Sequence, residues 1–275
     1  MKISKINNEN ITYLKELFEL SWGKEIDIQD EINYFNEEQP KDWYVALDEN
    51  NMTLGFIRDF PTMDSNILKV EIYSRNNNFK IEELLINVFA QDFSKNNVTI
   101  RFSLDSDKLY LKEYLEDLGF INDKNFLKFL YNKEIEVNNI NNIRYLNNIS
   151  HEIEQVIDIL KHFQTFTAEK IVQYIDKKSI IVYEKDSEII GVSFNQVSKD
   201  NIEIIEIVIK KNLRGKGFGK IFLEGMIAFY RSINNNINFD LKVESKNISA
   251  ISLYKSVGFE EIISEKETWL SKTIM

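Results

Sequence analysis

The sequence contains no cysteine. That absence excludes disulfides, thiolate nucleophiles and cysteine–zinc sites together, and it suits a reducing compartment. Histidine is almost as scarce. His151 and His162 are the two in the chain; both fall in a segment with helical periodicity, far in sequence from the motifs below. They read as surface or packing residues, so a histidine triad or multi-histidine metal site is not expected, and no metal is assigned. No apolar run approaches the roughly 20 residues of a membrane-spanning helix. Residues 1–8 lack the apolar core of a signal peptide, so the expected location is the cytoplasm. A basic surplus is missing too: 34 Lys and Arg face 44 Asp and Glu, a net charge of −10. Residues 1–137 carry 16 basic and 26 acidic side chains, and residues 138–275 carry 18 of each. General nucleic-acid binding, which wants a basic surface, is not expected. The acidity serves solubility or steers a cationic amine.

What is present fits two ordinary folded domains. Domains cluster at about 100–150 residues, the chain has 275, and 43% are hydrophobic. The Asn-rich stretch at residues 137–142 is polar and turn-rich, which places domains at 1–137 and 138–275. The second half reads as a strand at 143–146, helices near 150–163 and 168–176, and strands at 180–183 and 189–195. The most apolar strand follows, at 202–209, with β-branched residues on both faces as in a covered central strand. A glycine-rich turn then opens a helix near 218–232, where Phe222, Met226 and Phe229 share a face. A strand at 239–244, a helix at 247–257 and a closing strand pair complete the half.

The first half repeats this order. It offers helices near 10–21 and 29–37, and strands at 42–48, 53–59 and 67–73. A turn at 74–79, a helix at 80–94, a strand at 97–104, a helix at 107–118 and closing strands follow. Gly119-Phe120 and Gly258-Phe259 are 139 residues apart, and the same offset sets Arg75 on Arg214 and Phe79 on Phe218. Two landmarks at one offset predict an internal duplication.

The sharpest feature is Arg214-Gly215-Lys216-Gly217-Phe218-Gly219, between a strand and a helix. Glycine takes φ > 0 and has no side chain to obstruct a ligand. Successive N–H groups in such a turn form an anion nest, and the following helix adds its positive end. Lys210, Lys211 and Lys220 add charge nearby. A pyrophosphate suits this chemistry. A dinucleotide fingerprint wants an early strand and an acidic residue at the end of the next one; here the turn comes late and Asp240 begins its strand. A P-loop wants Gly-Lys-Ser/Thr, whereas Lys220-Ile221 follows Gly219.

Downstream stand Asn247, Ala250, Leu253, Tyr254, Gly258 and Phe259 in the pattern N-x-x-A-x-x-L-Y-x-x-x-G-F. With Arg214, Gly217 and Gly219, this closely resembles the GCN5-related N-acetyltransferase (GNAT) family over residues 142–275. The resemblance implies an α/β fold with a mixed, mostly antiparallel sheet flanked by helices, in two tandem copies. In architecture that arrangement is similar to mycothiol synthase and related two-copy acetyltransferases. It further implies acetyl-CoA as co-substrate and direct transfer to an amine acceptor. Pyrophosphate contacts fall to Arg214, Gly215, Lys216, Gly217, Phe218, Gly219 and Lys220, with Asn247 also at the cofactor. Ile207, Val208 and Ile209 supply main-chain contacts to the pantetheine and the developing oxyanion. Tyr254 matches the tyrosine that faces the CoA sulfur as general acid. Glu203, eleven residues before Arg214, and Glu206, eight before, are both candidate bases, with a water relay as the alternative. On a regular strand they face opposite ways, and a bulge would change that parity.

At the 139-residue offset the first half has Asn76, Asn78 and Lys80 for the three glycines, Lys108 for Asn247 and Leu115 for Tyr254. Asparagine tolerates left-handed backbone, so the turn is expected to persist without the cradle, in a non-catalytic copy. The rival functional reading is a CoA-binding sensor without turnover; a different acyl donor also stays open.

Overall fold

The computed structural model describes residues 1–23, 25–36, 42–61, 66–92, 97–133, 142–161 and 168–274. The boundary expected at 137/138 and His162 lie outside these residues. The chain divides into two compact units, Met1–Lys124 with Thr268–Met275, and Asn125–Glu267.

The first unit runs β1 (Lys2–Lys5), α1 (Lys15–Trp22), α2 (Ile28–Phe35), β2 (Tyr44–Leu47), β3 (Thr53–Pro61), β4 (Ile67–Ser74), α3 (Phe79–Asp92), β5 (Val98–Asp105) and α4 (Lys112–Asp117), then enters β6 (Ile121–Tyr131). Strands β1 to β4 pair antiparallel in sequence order. β4 and β5 run parallel, from Ile67 opposite Thr99 to Val70 opposite Phe102. The helix expected at 107–118 begins as a 3-10 turn at Ser106–Leu111 before α4. Leu85, Ile86 and Phe89 of α3 are buried against Ile57, Val70 and Phe102 of the sheet.

The second unit continues with β7 (Ile143–Tyr145), α5 (Ser150–Leu160), α6 (Ala168–Asp176), β8 (Ile180–Lys185), β9 (Glu188–Val197), β10 (Asn201–Ile209), α7 (Phe218–Ile233), β11 (Asn238–Glu244), α8 (Ile248–Val257) and β12 (Phe259–Ile274). Strands β7 to β10 pair antiparallel. β10 and β11 run parallel from Asn201 opposite Asn238 to Ile204 opposite Leu241. The apolar stripe of α7, at Phe222, Met226 and Tyr230, repeats every four residues. It packs with α8 on one side of the sheet against Phe239, Leu241 and Phe129. Phe229, expected on that stripe, is only half-buried and sits edge-on to Tyr145. Val156, Leu160 and Ile171 of α5 and α6 cover Val182 and Phe194 on the other side.

The ends of the two sequence halves correct an expectation. A closing strand pair was expected at each end, but each is one long strand: β6 has 11 residues and β12 has 16. β12 holds no glycine, proline or asparagine, so nothing in it supplies the φ > 0 positions of a tight hairpin. Residues 259–267 of β12 belong to the second unit, and the rest to the first, where Ser271 Oγ accepts from Arg101 Nε of β5 at 3.1 Å. Residues 125–131 of β6 belong to the second unit, where Leu130 to Phe126 pair antiparallel with Asp240 to Glu244 of β11. The strand beside β11 therefore comes from the first half of the sequence. No helix among the described residues is long and apolar enough to cross a membrane.

Candidate functional site

Strand β10 supplies the first half of the site. Its register against β9 shifts after Ile204: Ile204 lies opposite Asn195 and Glu206 opposite Phe194, which leaves Ile205 as an extra, unpaired residue. Ile205 is 49% exposed, a break in a strand expected to be covered on both faces. The bulge decides the parity of the two glutamates. Glu203 lies opposite Gln196 and Glu206 opposite Phe194; those partners are two residues apart on β9, so both glutamates lie on one face. Pairing with β11 ends at Ile204. Beyond it, the main chain of β10 borders a cleft of about 530 Å³.

Glu206, Ile207, Val208 and Ile209 form one wall of this cleft; Arg214, Gly215, Gly217, Gly219 and Lys220 form its end. Asn247 and Tyr254 line it from α8. Three residues given catalytic or cofactor roles in the sequence are not in the lining, nor are the nearby Lys210 and Lys211. Glu203 lies on the same strand face as Glu206, Lys216 is exposed, and Phe218 packs against the Tyr183 ring with Lys185 Nζ over its own. Ser249, Ala250 and Leu253 also line the cleft. They were not assigned as site residues, although Ala250 and Leu253 belong to the motif and follow Asn247 at helical spacing.

The turn has the backbone of an anion nest. Gly215 and Gly217 have φ of 75° and 85°, and no protein atom lies within 4 Å of a Cβ built on either. Their glycines thus answer to backbone conformation and to whatever enters the cleft, not to protein crowding. The N–H groups of Gly215, Lys216 and Gly217 donate to no main-chain carbonyl among the described residues. Gly217 O accepts from Lys220 N at 3.1 Å and Ile221 N at 3.2 Å, which starts α7. A Cβ on Gly219 would stand 3.4 Å from Leu253 of α8, an ordinary contact. Arg214 Nε donates to Ile209 O at 2.8 Å, tying the turn to the end of β10. Free N–H groups, a helix start and two flanking cations fit a pyrophosphate.

Asn247 is the N-cap of α8: its Oδ1 accepts from Ala250 N at 3.2 Å and Ser249 Oγ at 3.1 Å. Tyr254 is 7% exposed, between the Phe129 and Phe259 rings. Burial pushes the Glu206 carboxyl up to about 7, against an opposing pull from Arg214. Burial, then the charge of Glu206, push the Tyr254 phenol up. Glu203 is also raised, by burial first and then by Asp240, with Lys242 and Lys128 opposing and Glu267 adding a little. One positioning residue carried no sequence signal beyond being a lone glycine in a strand. A Cβ on Gly191 would stand 2.9 Å from Ile209 Cδ1 and 3.0 Å from Phe222, so Gly191 lets α7 sit down on β9.

The first unit holds a parallel set of positions. Gly55 lies opposite Ser74, and a Cβ there would meet Tyr73 O at 2.7 Å and Ile81 of α3 at 3.0 Å; Gly191 lies opposite Ile209. Three residues on from each glycine, Arg58 faces Glu71 and Phe194 faces Glu206. Arg58 ion-pairs with Glu71 and Glu31, each at 2.7 Å, and its guanidinium lies within about 5 Å of the Phe18, Trp22 and Trp43 ring centres. The register of β3 on β4 has no shift from Gly55 to Pro61. At the turn, Asn76 and Asn77 have φ of 60° and 49°, while Asn78 has φ of −82°. Lys108, at the offset position of Asn247, donates to Asn77 Oδ1 at 3.1 Å and ion-pairs with the buried Glu82, which also accepts from Tyr110 OH at 2.5 Å.

Residues 148–272 match the family model described as an acetyltransferase (GNAT) domain. The fold is similar to a GCN5-related N-acetyltransferase from Sphaerobacter thermophilus, at 13% identity and a TM-score of 0.70, covering 98% of this chain and 95% of that one. It is similar to a GNAT-family acetyltransferase from Colwellia psychrerythraea, at 13% identity and a TM-score of 0.67, covering 99% and 100%. A tandem GNAT protein from the clavulanic acid biosynthesis pathway shares the fold at 9% identity and a TM-score of 0.68, with 98% of each chain covered. No curated protein matches the chain by sequence. The family model thus places a GNAT acetyltransferase domain on residues 148–272, and the structural neighbours share the fold of the chain.

Proposed function

We propose that the second unit transfers an acetyl group from acetyl-CoA to a primary amine of a small molecule or peptide, and that the first unit is a non-catalytic copy of the same fold. The observation that carries this reading is the convergence, in one cleft, of the left-handed glycine turn, Glu206 and Tyr254. The turn at residues 214–219 holds the pyrophosphate through main-chain N–H groups, with Arg214 and Lys220 balancing its charge. Ile207, Val208 and Ile209 present main-chain groups along the unpaired edge of β10, where a pantetheine arm runs and a developing oxyanion is held.

Glu206 is the base in this account. It lines the cleft and its carboxyl is poised near neutral pH, which suits proton abstraction from an ammonium. Glu203 shares its face but lies outside the lining, so it is the weaker candidate. Glu206 takes the proton of the ammonium, and the freed nitrogen lone pair attacks the thioester carbonyl carbon. The carbon–sulfur bond breaks, and Tyr254, kept protonated by burial and by the charge of Glu206, gives its proton to the departing thiolate. The second proton of the attacking nitrogen returns to the Tyr254 phenolate as the neutral amide forms.

The duplicated architecture rests on the shared order of elements, the paired glycines Gly55 and Gly191, and a tandem GNAT protein among the structural neighbours. The test is release of free CoA from acetyl-CoA across a panel of primary amines. Turnover that falls sharply in Tyr254→Phe and Glu206→Gln supports the account. Tight CoA binding with no turnover on any amine favours a sensor, and turnover with a longer acyl-CoA alone reassigns the donor.

A further inference from the structure

The core of the second unit contains a buried polar pair with no role in the chemistry above. Ser193 and Asn195 on β9 are 0% and 2% exposed. Ser193 lies opposite Ile207, and Asn195 opposite Ile204; both of those isoleucines pack in the apolar core beneath α7. Buried polar groups in such a place call for an explanation. The partner of Ser193 supplies one. Its Oγ donates to Glu206 O at 3.0 Å and also reaches Asn195 Oδ1 at 3.0 Å. A hydroxyl has one hydrogen, shared here between two acceptors. Asn195 is held in turn, with its N–H donating to Ser179 O at 2.8 Å and its Nδ2 to the same oxygen at 3.4 Å. A bulge disrupts the ladder locally, and the carbonyl that Ser193 caps belongs to the residue immediately after the extra Ile205.

The first unit is an internal control. Two residues on from the facing glycine, Ser193 is replaced by Ile57. There, β3 and β4 pair without a register shift, and Ile57 is fully buried. The hydroxyl and the bulge occur together on β9 and β10, and both are missing from the matching positions of β3 and β4.

We propose that Ser193 is a positioning residue: its hydroxyl pins the bulge at Ile205 and so aims Glu206 into the cleft. The proposal rests on the reading of Glu206 as the base. Ser193 is not itself among the residues lining the cleft, and it acts through the backbone of Glu206. The groups that face the Glu206 carboxyl are Arg214 from the turn and Tyr254 from α8, and Ser193→Ala leaves both in place.

The experiment is a carboxyl ¹³C titration of the full chain carrying labelled glutamate, with the Glu206 signal identified by its loss in Glu206→Gln. Wild type should titrate near 7, Ser193→Ala at least about one unit lower as Glu206 relaxes toward solvent, and Ser193→Thr, which keeps the hydroxyl, as wild type. Affinity for CoA should change by less than about twofold in both variants. A Ser193→Ala midpoint equal to wild type overturns the proposal, as does an equal displacement in the Ala and Thr variants. Failure of the base assignment is read separately, as amine acetylation that proceeds at the wild-type rate in Glu206→Gln.

Discussion

Glu71 and Glu206 stand at matching places in the two units, each opposite the third residue after a glycine that makes room for the helix after the turn. Their surroundings differ in every respect that matters for proton transfer. Glu71 faces Arg58, which is clamped between two carboxylates and three aromatic rings, and it also accepts from Trp22 Nε1 at 2.6 Å. Glu206 faces Phe194, has no register partner on its other edge, and borders a cleft. The same carboxylate is an internal ion-pair partner in one unit and, in the other, a cleft carboxyl raised to about 7 that we propose as the base. A fold does not carry a function; the residues grafted on it do.

The numbering shows where the units diverge. Asn201 and Ile67, which open the parallel ladders, are 134 residues apart. Glu206 and Glu71 are 135 apart, and Gly258 and Gly119 are 139 apart. The step of one is the bulge at Ile205. The step of four is Lys210-Lys211-Asn212-Leu213, between the end of β10 and Arg214. Both steps lie beside the cleft.

The largest effects are expected at the two glutamates. Glu206→Gln is expected to lower kcat by about 10³-fold, within the range for loss of a general base, while Glu71→Gln leaves kcat unchanged. Since the active form of Glu206 is the carboxylate, kcat/KM should rise with pH up to about 7 and level off above it. That limb should vanish in Glu206→Gln; an intact limb would remove Glu206 as the base. Arg58→Met should do the reverse. It strands Glu31 and Glu71 without their partner and should destabilise folding by about 3 kcal/mol in denaturant titrations, with the pH limb unmoved. A shifted limb would mean that Arg58 acts on the catalysed reaction.

Smaller effects sharpen the contrast. Tyr254→Phe should reduce kcat about 10²-fold with little change in the KM for acetyl-CoA, whereas Leu115→Tyr at the offset position should add no activity. Gly217→Val forces a β-branched residue to φ near 85°, costing about 2 kcal/mol. Calorimetry should show acetyl-CoA affinity falling by more than tenfold. Undiminished affinity would show that the left-handed turn is not the cradle.

Much of this contrast was legible in the sequence, and the limits have physical causes. The glycine turn and the Asn247–Phe259 pattern declare themselves, because a left-handed nest and a helix with one ligand-facing side leave residue-specific marks. The element order was also readable, since burial imposes periods of two and 3.6. The pairing of Glu71 with Glu206 was hidden because one constant offset of 139 steps over the bulge and the four-residue insertion. The bulge itself depends on a cross-strand hydroxyl at Ser193, far from it in sequence. The closing strands were misread because an expected hairpin and a continuous strand share the same alternation; the missing turn residues in β12 were the available clue. Glu203 and Glu206 could be ranked only once the bulge set their parity and the cleft separated them.

The measurement that bears most directly on the account is the stoichiometry of acetyl-CoA binding to the full chain by equilibrium dialysis. The account predicts one molecule per chain, with binding strongly weakened by Gly217→Val and unchanged by Asn78→Val in the first unit. Two molecules per chain, or one that is lost with Asn78→Val and kept with Gly217→Val, would contradict it.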